Sequence, residues 1–141
     1  MIHKIEITID VIVHATEDIS KILQAFDEIL EIKEEFTSIE TTGYFENPII
    51  ILSVKLQKKQ GQNFIKKMLE LLPINQINEL IEEIEERTID SRFHLRLDKQ
   101  ELVQGKLIIS EKNTEKVKIH TPIYNKKDTV KVFTEIFQMV N

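Results

Sequence analysis

Every second position from Ile5 to Val13 is apolar: Ile5, Ile7, Ile9, Val11 and Val13 alternate with Lys4, Glu6, Thr8, Asp10 and His14. A period of two sustained this long predicts a β-strand with one face in the core. Ile12 breaks the alternation, either at a bulge or where the second face becomes covered. Thr16 then reads as a helix N-cap, with Glu17 and Asp18 near the positive end of the helix dipole. Ile19, Ile22, Leu23, Phe26, Ile29 and Leu30 follow at helical spacing, and this stripe ends near Ile32. Thr37 to Tyr44, rich in β-branched residues, and Ile49 to Leu56 predict two strands joined as a hairpin through the turn Glu46-Asn47-Pro48.

Gly61 precedes Phe64, Ile65, Met68, Leu69 and Leu72, a short helix stopped by Pro73. A second helix is predicted from Asn75 to Glu86, with Ile77, Leu80, Ile81 and Ile84 as its stripe. The last third reads as a three-stranded meander built on Phe93-Leu95-Leu97, Leu107-Ile109 and Val117-Ile119, with a turn at Asn113-Thr114. A final amphipathic helix runs from Asp128, its expected N-cap, through Val132, Phe133, Ile136, Phe137 and Val140. The order β-α-β-β-α-α-β-β-β-α predicts an α+β fold, a mainly antiparallel sheet with helices packed on one face, in one domain spanning 1–141.

Composition narrows the chemistry. With 141 residues and 41% hydrophobic content, the chain can bury one core. It has no cysteine, which excludes disulfides, thiolate zinc sites and cysteine nucleophiles. The longest apolar run, Ile49 to Leu52, is far short of the roughly 20 residues of a membrane span. The alternating N-terminus lacks a signal peptide's apolar block, so a cytoplasmic location and no membrane partner are expected. Three glycines exclude a glycine-rich phosphate loop. Sixteen lysines against three arginines, with no cysteine, fit a heat-adapted chain, and an AT-rich genome explains them equally well.

A net charge of −5 argues against a polyanionic partner until its distribution is considered. Residues 1–86 carry 8 basic and 17 acidic side chains, whereas residues 87–141 carry 11 basic and 7 acidic ones. An acidic helix beside ordinary surface lysines explains this split, and so does a basic face meeting an anionic polymer. On the second reading, Arg92, His94 and Arg96 share one strand face, Lys116, Lys118 and His120 share another, and Lys106 joins them if the registers match. Such a stripe suits backbone phosphates, although lysine-rich strand faces are ordinary in any antiparallel sheet. Tyr44, on the exposed parity with Glu40 and Thr42, offers a stacking surface for a base, or covers a helix end or a dimer contact.

His14 beside Thr16, Glu17 and Asp18 invites a metal or acid–base reading, but the spacing is not that of a zinc motif and helix capping accounts for the cluster. His14 reads better as a surface contact near Arg96 or Lys99. No serine has a nucleophile's glycine-flanked turn, so neither a catalytic residue, a metal nor a cofactor is expected.

Three stretches together carry a family likeness: Val13-His14-Ala15-Thr16-Glu17-Asp18, Gly43-Tyr44-Phe45-Glu46-Asn47-Pro48-Ile49 and Leu95-Arg96-Leu97-Asp98-Lys99-Gln100. In order and spacing the chain resembles the archaeal RNA-binding-domain or predicted exosome-subunit family, departing from it at Glu46, where many relatives carry glycine. The resemblance implies a fold like that of the ribosomal protein that binds 5S RNA. It also implies an RNA partner, with exosome or ribosome-related proteins as associates. The expectation is a non-catalytic RNA-binding protein using Arg92, His94, Arg96, Lys99, Lys106, Lys116, Lys118 and His120, with His14, Tyr44 and Asn47 as secondary contacts. The alternative is a protein-interaction module that self-associates as a homodimer through the Ile49–Leu52 arm or the final helix.

Overall fold

The computed structural model describes residues 5–42, 47–111, 114–120 and 126–138. Six strands, β1 (Glu6–His14), β2 (Thr37–Thr42), β3 (Pro48–Gln57), β4 (Thr88–Ile89), β5 (Arg92–Asp98) and β6 (Thr114–His120), form one sheet in the order β2-β3-β1-β6-β5-β4. Every neighbouring pair is antiparallel. The helices are α1 (Ile19–Leu30), α2 (Lys58–Leu71), α3 (Ile74–Glu82), α4 (Ile84–Arg87), α5 (Lys99–Val103) and α6 (Lys126–Phe137). The fold is α+β, as the alternation and helical stripes imply.

Period-two patterning explains which face is covered. Ile7, Ile9, Val11 and Val13 of β1, Leu52, Val54 and Leu56 of β3, and Phe93, Leu95 and Leu97 of β5 are all buried. Onto them pack Phe26 of α1, Phe64, Ile65 and Met68 of α2, and Phe133 and Phe137 of α6. The Phe93 ring lies 5.4 Å from that of Phe133 and 4.8 Å from that of Phe137. Gly61 lets α2 approach the sheet closely: a Cβ there would meet the Leu56 carbonyl oxygen at 3.3 Å and that of Ile5 at 3.4 Å. On the opposite face the alternate positions of β1, β3 and β5 are mostly polar and are exposed or half-exposed.

Several local expectations are corrected. Asp18, not Thr16, caps α1, accepting from the amides of Ser20 at 3.0 Å and Lys21 at 3.4 Å. Helix α2 starts three residues before Gly61, and the helix expected over 75–86 breaks at Glu83 into α3 and α4. Strand β4 is new; its turn Asp90-Ser91 has both φ values positive (49° and 62°), the geometry of a two-residue hairpin whose twist matches the strands. The three-stranded meander does not form. Leu107–Ile109 makes only an isolated bridge, Ile109 to Leu97, and α5 occupies the connection. Strand β6 lies directly between β1 and β5. The last helix begins at Lys126 rather than Asp128. Tyr44, Glu46, Asn113 and Val140 lie outside the described residues.

Lys99 requires the largest revision. Expected on the surface, it is only 3% exposed and continues the buried parity of Phe93, Leu95 and Leu97. Its ammonium donates to the Ile12 carbonyl oxygen at 2.7 Å and to Glu17 Oε1 at 2.7 Å. Ile12 stands one position beyond Val11, the last β1 residue paired to β6, so the lysine satisfies a main-chain acceptor where the ladder stops. Glu17 also accepts from the His14 amide at 2.9 Å and from Gln100 Nε2 at 3.2 Å. Burial pushes the Glu17 carboxyl up, but the Lys99 and His14 hydrogen bonds, with the Lys99 charge, outweigh it and hold the group below its ordinary value of 4.5.

Two outcomes follow for denaturant titrations. Phe93→Ala costs about 3–5 kcal/mol, because a fully buried ring is deleted, whereas Ile74→Ala, at a residue 75% exposed, stays within about 0.5 kcal/mol of the parent. Lys99→Met leaves the Glu17 carboxylate without its cation and costs about 3 kcal/mol at neutral pH. A lowered folded-state value means that the contribution of Glu17 is present above its ordinary 4.5 and is lost as pH falls through the folded value. In Lys99→Met that loss begins at higher pH, read as an upward shift of the acid limb of stability.

Candidate nucleic-acid interface

Directly opposed residues of an antiparallel pair occupy the same sheet face. Along the β5–β6 ladder, Arg92 faces His120, His94 faces Lys118 and Arg96 faces Lys116. Two adjacent strands thus bring six basic or imidazole-bearing positions into one block on the open face. The block is about 14 Å long, from a spacing of about 6.8 Å between alternate residues. Arg92 is exposed, and His94 and Arg96 are half-exposed. Arg87 of α4 braces β5. Its guanidinium pairs with Glu83 at 2.8 Å and donates to the His94 carbonyl oxygen at 3.4 Å.

Acidic groups border the block on both flanks. On β1, Glu6 stands opposite His120 and Asp10 opposite Lys116. Glu6 already pairs with Lys55 at 3.4 Å and accepts from Gln57 Nε2 at 3.0 Å. Asp10 accepts from Ser53 Oγ at 2.7 Å. On the other side, Glu111 Oε2 is 4.0 Å from Arg96 Nε, and Asp98 caps α5 through the Glu101 amide at 2.9 Å. The register places basic residues directly opposite one another only between β5 and β6 among the described strands.

The other sequence-derived candidates fall elsewhere. Lys106 is exposed in the connection after α5, not on a strand of the face. His14 and Asn47 are exposed near one end of the sheet, where His14 faces Ile49. Arg96 and His14 are about 13 Å apart along the strand direction, since Asp10 rather than His14 is level with Arg96. Arg96 therefore does not approach His14, and the Glu17 carboxylate beside His14 is occupied by Lys99 and Gln100. A cleft of about 430 Å³ lies away from these residues, between the end of α1 and α2, lined by Leu30, Ile32, Leu56 and Phe64 with charged side chains at its rim.

Lys55 was missed. It is exposed on β3 and faces Thr8, level with Lys118 and His94. The signal was present in the alternation Leu52, Val54, Leu56, which assigns Lys55 to the open parity.

The RNA-binding family model matches residues 6–136. An uncharacterized protein of Methanocaldococcus jannaschii is 33% identical over 137 residues, covering 89% of this chain and 91% of that protein. A protein of Pyrococcus abyssi named as RNA-binding is 35% identical over 112 residues, covering 74% of this chain and 73% of that one. Among solved structures, a protein of Archaeoglobus fulgidus superposes with a TM-score of 0.82 at 25% identity, covering 94% of this chain and 99% of that one. One from Methanothermobacter thermautotrophicus has the same fold, with a TM-score of 0.78 at 24% identity over 95% and 98% of the two chains. The match runs from the first residue of β1 to the last turn of α6 and includes every strand that builds the open face; the chain belongs to this archaeal RNA-binding family.

Proposed function

We propose that the chain binds RNA without catalysing a reaction on it, the phosphates lying along β5 and β6. The observation that carries this reading is the register that opposes Arg92, His94 and Arg96 to His120, Lys118 and Lys116. Alternate residues about 6.8 Å apart match the step between phosphates of an extended single strand. Arginine grips a phosphate with two donors, which suits Arg92 and Arg96 to anchor the two ends of the block. Lys55 lies across β1 from Lys118 and His94, where it pairs with Glu6 and offers a further phosphate contact. Lys106, His14 and Asn47 are secondary contacts outside the block, and Tyr44 supplies a stacking platform for a base. Lys99 acts indirectly in this scheme, by fixing the β1–α1 corner from beneath.

The family name and the name of the Pyrococcus relative describe binding, and both support this reading. Work in RNA processing alongside the exosome, or in a ribosome-related assembly in the cytoplasm, is the setting that the family likeness suggests. The alternative is self-association through the Ile49–Leu52 arm, which lies in β3, or through the final helix.

Fluorescence anisotropy with a short single-stranded RNA across a salt series tests the interface. With about four phosphates neutralised, log affinity against log salt has a slope near −3, at about −0.7 per contact. Arg92→Ala/Arg96→Ala makes the slope shallower by about 1.4 and weakens binding about tenfold, as two exposed ion pairs of about 0.7 kcal/mol each imply. Lys59→Ala/Lys66→Ala, at exposed positions of α2, changes neither quantity. An unchanged slope in the arginine variant rejects the block.

A further inference from the structure

Among the described residues, strand β2 is the outermost strand of the sheet, hydrogen-bonded to β3 on one side only. All six of its residues, Thr37-Ser38-Ile39-Glu40-Thr41-Thr42, are exposed. Natural proteins protect such edges with charged side chains, above all lysine, with proline, a bulge, a covering segment or extreme shortness, and of these β2 has one charge, Glu40. Within its bounds β2 has no lysine and no proline, and its pairing with β3 runs through all six residues without a bulge. The opposite edge, β4, has only two residues.

The side chains of this edge are also unusual for an open face. Ile39 faces Ile51, and Ile51 faces Ile12, which puts three isoleucines in one row across β2, β3 and β1. Ile39 is 62% exposed and Ile12 is 41% exposed. The row runs out to the sheet edge and stops at Ile39 with nothing beside it among the described residues.

We propose that the β2 edge is a homodimer surface, on which two copies pair antiparallel about a two-fold axis at Ile39 and continue one sheet into the next. Antiparallel edge pairing places the two-fold axis perpendicular to the sheet, so open face must continue as open face. Only registers that oppose odd positions to odd positions meet this condition. Centring on Ile39 sets Ile39 against Ile39, Thr37 against Thr41 and Ser38 against Glu40. The isoleucine row then runs unbroken through both molecules, six residues long. Centring on Glu40 opposes two carboxylates, which is unfavourable in a directly facing pair. Centring on Ser38 sets Thr41 and Thr42 against Glu35 and Glu34, which precede β2, and shortens the ladder. A polyanion is a poor occupant of this edge, whose one charged side chain is Glu40. The proposal is independent of the RNA reading.

Because the chain has no cysteine, single engineered ones report the register directly. In the dimer, Ile39→Cys places two thiols in facing positions about 4.5–5.5 Å apart between Cα atoms, within disulfide range. Thr41→Cys leaves its thiols about 13 Å apart along the strands, out of range. Sedimentation and light scattering without RNA, from low micromolar to near-millimolar protein, give a concentration-dependent dimer. Under mild oxidation Ile39→Cys forms a covalent dimer at least about tenfold faster than Thr41→Cys, the difference that range and geometry impose. Ile39→Lys, which brings two ammonium groups together at the axis, is monomeric throughout. A wild-type chain that stays monomeric over the whole range overturns the proposal. So do equal cross-linking rates for the two cysteine variants, or a dimer that persists in Ile39→Lys.

Discussion

An ammonium ion inside a protein must be surrounded by acceptors, because an unpaired charge in a low-dielectric interior costs several kcal/mol. Lys99 meets that requirement with two contacts of 2.7 Å, one to the Ile12 carbonyl oxygen and one to Glu17. The consequences spread from there. Glu17 must lie at the turn after β1, which orients the His14 amide toward it and sets where α1 begins. Lys99 must sit at the end of β5, which starts α5 under the Asp98 cap and ends the strand on which Arg92, His94 and Arg96 are displayed. The two stretches that carry the family likeness most specifically, around His14–Asp18 and Arg96–Gln100, are therefore two halves of one contact, 82 positions apart in the chain.

Much of this was legible in the sequence because the strands are half-covered. One face of β1, β3 and β5 packs against helices, and a half-covered strand must alternate, so Ile7 to Val13, Leu52 to Leu56 and Phe93 to Leu97 declare themselves. The same rule, followed one step further, assigns Lys99 to the interior. Residue type argued for the surface and parity argued for the core, and parity prevailed because partners were available. The Leu107–Ile109 segment misled in the opposite way. Its alternation is real, but only two main-chain bonds, Asp98 to Ile108 and Ser110 to Arg96, tie it to β5, too few for a strand. The Glu83 break had no warning, since neither glycine nor proline stands there.

Register is what the sequence withheld about the face. Period two says which residues share a side of a strand, but not which strand lies beside it. Lys116 and Arg96 become neighbours because β6 enters between β1 and β5. That placement sets Arg92, Arg96, Lys116 and Lys118, four of the eleven lysines and arginines after residue 86, on two adjacent strands of a chain whose net charge is −5.

The central position of β6 has a further consequence, for assembly. Among the described residues, the first half of the sheet, β2-β3-β1, and the last, β5-β4, are joined as one ladder through residues 114–120. Glu6 meets His120 across an interval of more than one hundred residues, a closure that is entropically late and slow. Residues up to His120 must therefore have been synthesised before the two subsheets can be zipped together.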